Sequence, residues 1–230
     1  MQVLISCGGL ATRLRPLTKK IPKSMVEIEG KPFLEHQLNL LKKNGLKDIV
    51  LSIGFKGNQI KKYFATGKKF GVKIKYNPDG KKLLGTGGAI KKAEKLLNDA
   101  FLVIYGDSYL PFDFQKAINY FNRFQKLGLM TVFKNANRYE PSNVEVQGNL
   151  VKSYSKKRKT KKMLYIDYGV SIFKKEVLKN FPADTAFDLS LIHKDLIKKK
   201  QLLAFPVKQR FYQIGSFDGL EEFRQYLKNN

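Results

Sequence analysis

Short apolar runs punctuate the chain at residues 3–5, 48–53, 101–105, 129–133 and 202–207. Runs this short and this apolar predict strands of a sheet covered on both faces. Between the first two, Phe33, Leu34, Gln37, Leu38 and Leu41 fall at helical spacing. That spacing predicts a helix that opens at Pro32 and is stopped by Gly45. Strand, loop, helix and strand in this order form a βαβ unit. Further helices are predicted over 58–64, from 85 to about 97, over 113–126, 188–199 and 217–228, with an alternating strand at 72–76. After residue 133 the pattern changes. Residues 143–146 and 150–154 flank Gln147-Gly148-Asn149 as a β-hairpin, followed by a polar run over 156–162 and a strand over 164–173. No internal repeat, no linker and no hexapeptide repeat interrupts this order.

The length of 230 residues suits one α/β domain with a full core. Apolar residues at 43% exclude general disorder. The balance of 44 Lys and Arg against 19 Asp and Glu gives a net charge of +25, which calls for an anionic partner or reflects a general bias toward lysine. The basic residues are spread through every segment and the aromatics lie in the apolar strands and helices, so neither nucleic acid nor a membrane is the expected partner. One cysteine, Cys7, excludes an internal disulfide and a Cys-based zinc site, and two histidines make a His-rich metal site a poor reading. No apolar run approaches a membrane span, and no basic stretch precedes the first one. A reducing cytoplasm is the expected setting.

Three loops carry candidate chemistry. The first strand ends in Gly8-Gly9, with Arg13, Arg15 and Lys23 close behind. Open backbone amides and fixed cations there can hold phosphate, or the glycines can be an ordinary turn. Leu84-Gly85-Thr86-Gly87-Gly88-Ala89 opens a helix, where free amides can hold an anion or admit a flat base, or merely cap the helix. Gly106-Asp107 follows the most apolar strand. In open sheets ligands bind beyond the carboxyl ends of strands, so Asp107 is a candidate for a divalent ion facing phosphate. Lys156 and Lys157 begin the basic run and either reach an anionic substrate or are solvated.

Taken together and in order, Gly8-Gly9-Leu10-Ala11-Thr12-Arg13-Leu14, Pro22-Lys23, Leu84 to Ala89, Gly106-Asp107, Lys156, Asp167-Tyr168-Gly169 and Ile214-Gly215-Ser216 resemble the sugar-1-phosphate nucleotidylyltransferases. The resemblance extends over nearly the whole chain and is strongest to single-domain bacterial heptose- and mannose-1-phosphate guanylyltransferases. It implies a Rossmann-like three-layer α/β/α fold with a mostly parallel central sheet and a small β extension for the sugar. It implies one domain, with residues 1–110 as nucleotide half and 111–230 as sugar half. The implied reaction joins a nucleoside triphosphate to a sugar 1-phosphate, giving a nucleotide sugar for glycan or cell-surface polysaccharide synthesis, and pyrophosphate. Guanylyl transfer is slightly favoured.

By this resemblance Arg13, Lys23 and Asp107 are catalytic. Gly8, Gly9, Ala11, Thr12, Arg13, Lys23, Asp79, Gly85, Thr86 and Gly88 bind nucleotide. Asn143, Lys156, Asp167 and Gly169 bind the sugar phosphate, and Asp107 with Gln213 holds Mg²⁺. The chain departs from the family pattern at Ala11, where many members have Gly, at Ser24 for a frequent Pro, and at Ser155 and Gln213 for acidic residues. Gln213 also keeps open a second reading, a catalytically impaired nucleotide-sugar-binding regulatory subunit of the same fold. Oligomeric state stays open.

Overall fold

Alternate residues of the first strand go to opposite sides of one sheet. Val3, Ile5 and Cys7 join one buried cluster and Leu4 joins another, as the two-residue period of a strand requires. The computed structural model describes residues 1–9, 12–80 and 82–230. Its strands are β1 (Gln2–Cys7), β2 (Glu27–Ile28), β3 (Lys31–Pro32), β4 (Asp48–Ile53), β5 (Lys73–Pro78), β6 (Ala100–Tyr105), β7 (Ser108–Tyr109), β8 (Gly128–Lys134), β9 (Val144–Gln147), β10 (Leu150–Tyr154), β11 (Tyr165–Lys174), β12 (Leu202–Val207) and β13 (Tyr212–Gln213). Its α-helices are α1 (Phe33–Lys43), α2 (Gly57–Phe64), α3 (Gly85–Lys92), α4 (Phe114–Arg123), α5 (Ser190–Lys198) and α6 (Phe217–Lys228).

Nine strands form one sheet in the order β5-β4-β1-β6-β11-β8-β12-β10-β9. The first four are mutually parallel. The expected mostly parallel sheet is in fact mixed. β11 enters antiparallel between β6 and β8, and β10 pairs antiparallel with both β12 and β9. Helices α1, α2 and α4 bury their apolar stripes against one face. Helix α3 and helix α5 cover the other.

Local chemistry sets the element ends. Asp113 caps α4 by accepting from the Gln115 and Lys116 amides at 3.0 and 3.3 Å, and Ser216 caps α6 by accepting from Gly219 at 3.2 Å. Helix α4 ends at Arg123, short of the predicted 126, because Phe124 turns extended. Helix α3 ends at Lys92 and continues as a tighter helix over Ala93–Leu96, and α5 begins at Ser190, two residues after the predicted start. A third buried cluster joins Leu14, Val26, Ile28 and Phe33 to Ile214, Leu220 and Phe223. It clasps the segment after β1 to the C-terminal helix and brings residues 12–25 beside residues 213–216.

Candidate active site

Strand β1 lies between β4, which follows it in the chain, and β6, which comes later. The chain thus leaves β1 to one side and returns on the other, and the crevice beyond the strand ends opens at that point. A cleft of about 810 Å³, mouth included, lies there. Its walls come from the carboxyl ends of β1, β4, β5 and β6, and they include Gly8, Gly9, Lys23, Asp79, Gly85, Thr86, Tyr105 and Asp107. Gly8 is closely approached. A Cβ there would lie 3.0 Å from Asp79 Oδ2, whereas one on Gly9 would meet open space. Asp79 is 7% exposed, and its Oδ1 is buried without a partner. Burial raises its carboxyl from its ordinary value, with the Leu84 amide and Lys92 acting in the other direction.

Lys23 Nζ and Asp107 Oδ2 form an ion pair at 2.8 Å, with side chains 18% and 34% exposed. A cation and a carboxylate sharing one wall suit a ligand whose charges they divide between them. Cys7 is buried at the floor, and desolvation pushes its thiol up to about 12, so it is no nucleophile near neutral pH. Thr12 and Arg13 are exposed, and the Arg13 guanidinium lies beside Gly215, whose Cβ would be 3.0 Å from Arg13 Nη2. The backbone also ties this turn to the carboxylate loop, since Ile214 donates to the Asp107 carbonyl at 2.9 Å. The Gln213 amide, expected to face a metal, is engaged in its own turn. Its Oε1 accepts the Gly215 amide and its Nε2 donates to Ser216 Oγ at 3.2 Å. Among the described residues no group of three or more His, Cys, Asp or Glu side chains is arranged to hold a metal ion. A cation here would have one carboxylate, Asp107. That fits Mg²⁺, which keeps waters and takes much of its shell from substrate phosphates.

The glycine-rich helix start does something the sequence does not foretell. The Gly87 and Gly88 amides, expected to be open to a ligand, both donate to the Phe187 carbonyl at 2.9 and 3.2 Å, and Phe187 N donates to Leu84 O at 3.0 Å. A strap running from Thr185 to Leu189 therefore seats on this helix end. A Cβ on Gly87 would overlap the Phe187 ring, and one on Gly88 would overlap the Thr185 carbonyl. Gly85 and Gly88 thus admit the strap's backbone and Gly87 admits the Phe187 ring, while Gly85 and Thr86 also line the cleft.

The residues expected to bind the sugar phosphate form a second group, and none of them is among the residues that line that cleft. Asn143 Oδ1 accepts the Asp167 amide at 2.9 Å, and Asp167 Oδ1 accepts the Gly169 amide at 3.0 Å. Gly169 has φ +104°, in the region that favours glycine, at an irregularity in the β11–β8 pairing between Asp167 and Ser171. Tyr154 donates to Asp167 Oδ2 at 3.3 Å, and burial raises the Asp167 carboxyl. Lys156 Nζ lies 5.8 Å from the centre of the Tyr105 ring and 3.2 Å from both oxygens of Asp188. Asp188 was not among the sequence candidates. It follows Phe187 in an ordinary polar stretch, and only the folded strap brings it to Lys156. Of the expected nucleotide residues, Ala11 lies outside those described.

Known proteins place the chain in a family. The family model described as nucleotidyl transferase matches residues 2–230. The D-glycero-alpha-D-manno-heptose 1-phosphate guanylyltransferase of Campylobacter jejuni is 34% identical, covering 100% of both chains. The mannose-1-phosphate guanylyltransferase catalytic subunit beta of Xenopus tropicalis is 28% identical over 94% of this chain and 61% of its own. Among solved structures, HddC from Yersinia pseudotuberculosis complexed with GMP-PN superposes with a TM-score of 0.81 at 29% identity, covering 98% of this chain and 99% of that one. The chain belongs to the nucleotidyl transferase family.

Proposed function

We propose that this chain transfers a guanylyl group from GTP to a sugar 1-phosphate, releasing pyrophosphate and a GDP-sugar for glycan assembly. Asp79 carries the choice of base. Guanine presents N1–H and N2–H₂ side by side, and a carboxylate on the cleft wall accepts both. Uracil and thymine offer one N–H between two carbonyls, which a carboxylate repels. The names of the heptose- and mannose-1-phosphate guanylyltransferase relatives support the same base and an acceptor of the sugar 1-phosphate class.

In this reading a sugar phosphate oxygen attacks the α-phosphorus, the bond to the β-phosphate oxygen breaks, and no covalent enzyme intermediate forms. The protein positions the two anions and neutralises charge on both sides of the transferred group. Gly9 leaves room for the phosphates, Lys23 meets the α-phosphate, and Arg13 at the Gly215 turn faces the departing pyrophosphate. Asp107 would hold a divalent cation such as Mg²⁺, which when bound supplies charge neutralisation to phosphate oxygens. Gln213 is read as a turn former and not as a ligand. Lys156 meets the sugar phosphate, with Asn143, Asp167 and Gly169 shaping the pocket.

The continuous sheet supports one domain with a nucleotide half over 1–110 and a sugar half over 111–230, in a Rossmann-like three-layer arrangement. No helix among the described residues is long and apolar enough to cross a membrane. Pyrophosphate release in Mg²⁺ with each triphosphate and a panel of sugar 1-phosphates tests the reading. GTP is expected to be preferred. Equal turnover of UTP would overturn the base assignment, and nucleotide binding without turnover of any pair would support a binding-only subunit instead.

A further inference from the structure

Lys156 opens a seven-residue stretch, 156–162, in which every residue but Thr160 is basic. An ammonium on a four-carbon stem in such a loop has many rotamers open to it. This one, 47% exposed, pairs with Asp188, 48% exposed. Each Asp188 oxygen lies 3.2 Å from Lys156 Nζ. The carboxylate is itself pinned from two elements. Oδ1 accepts the Ser190 amide at 2.9 Å at the start of α5, and Oδ2 accepts Thr86 Oγ1 at 3.3 Å from the start of α3. Thr86 in turn accepts the Leu189 amide at 2.8 Å. An ammonium has three donors, and two point at Asp188. The third is not taken up by Asp188, and Nζ lies 5.8 Å from the centre of the ring of Tyr105, a residue that lines the cleft.

We propose that Asp188 is the positioning residue for Lys156. Its carboxylate, locked by Thr86 and the Ser190 amide, aims the ammonium at the phosphate of the sugar substrate. This rests on the reading of Lys156 as the sugar-phosphate cation. It also gives the strap over the glycine-rich helix a purpose, because the same strap delivers Asp188 to the lysine.

A double-mutant cycle on pyrophosphate release tests it. D188N is expected to raise KM for the sugar 1-phosphate about tenfold while kcat falls less than about threefold and KM for GTP moves less than about twofold, the pattern of a lost binding contact. K156A is expected to raise the same KM at least as far, and D188N added to K156A should do nothing more. D188E should recover part of the loss. A role confined to capping α5 would lower Tm and add to K156A. An unchanged KM for the sugar 1-phosphate in D188N, or additive losses in the double variant, overturns the proposal while leaving the reaction in place. No turnover by the wild-type protein with any substrate pair overturns both.

Discussion

A carboxylate at 7% exposure with one oxygen unpaired is an expensive thing to keep in a protein. Asp79 packs close to Gly8 and Gly54, where a Cβ on either would lie 3.0 or 2.9 Å from its Oδ2. The purpose assigned to it is to pair with two donors on the guanine edge. Asp79→Asn keeps the shape but turns one acceptor into a donor, which then faces a donor on the base. We expect kcat/KM for GTP to fall by about 100-fold or more, since a site built for a polar partner rejects a mismatch strongly. Discrimination against ATP and UTP should narrow in parallel. The same change removes a buried charge, so Tm should hold or rise. A variant that kept its GTP preference would show that the base is read elsewhere. Position 79 is legible from the sequence only through family resemblance, because nothing in Asn77-Pro78-Asp79-Gly80 says that the carboxylate is buried.

At the scale of elements, α3 is the anomaly. Gly85, Gly87 and Gly88 sit in its first turn, although each glycine in a helix interior loses about 1 kcal/mol relative to alanine. Propensity alone says that Gly88→Ala stabilises. The strap says the opposite, because the new Cβ would overlap the Thr185 carbonyl, a backbone atom with little freedom to yield. Overpacking of this kind costs about 1–3 kcal/mol, so the net effect should be destabilising, read as a lower urea midpoint at unchanged m-value. KM for the sugar 1-phosphate should rise as Asp188 is displaced with the strap. A more stable Gly88→Ala protein would mean that the strap is loosely seated. Most elements needed no such knowledge. The alternation of Val3, Leu4 and Ile5, the stripe of α1 and the bounds of α6 follow from local pattern and from caps such as Ser216. What local pattern cannot carry is which distant backbone lands on a glycine. Phe187 and Gly87 are far apart in sequence, and their contact exists only once α5 packs on the sheet. The insertion of β11 antiparallel between β6 and β8 was hidden for the same reason, since a buried run reads alike in either direction.

The molecule as a whole carries +25, and compaction of so much like charge leaves its stability sensitive to acid. One group gives that sensitivity a resolvable shape. His193 is fully buried on α5, with Nε2 2.9 Å from Ser171 Oγ and Nδ1 unpartnered, beside the Tyr154 and Phe173 rings. Burial and the nearby Lys156 charge hold its pKa down at about 3, against the ordinary 6.5. The unfolded chain therefore binds a proton below 6.5 that the folded protein refuses until about 3. Stability contributed by the neutral ring is fully present above the higher value and is lost as pH falls through the window, at about 1.4 kcal/mol per pH unit. Asp188 acts lower. Burial raises its carboxyl, but hydrogen bonds at Ser190 and the Lys156 charge outweigh that and set it at about 2. Its contribution is intact above 3.8 and fades only below it. Asp79 and Asp167, with raised carboxyls, oppose the His193 trend, but they do so equally with or without the imidazole. His193→Leu should therefore be less stable than wild type at pH 7.5, because Ser171 loses a partner and the packing changes, yet its stability should decline less between pH 6.5 and 5. The difference in slope should approach 1 kcal/mol per pH unit, roughly the full linkage of one proton. Urea unfolding of both proteins at pH 7.5, 6.5, 5.5 and 5 measures it. Parallel curves would mean that His193 is reached by protons in the folded state, and that the acid sensitivity belongs to the net charge alone.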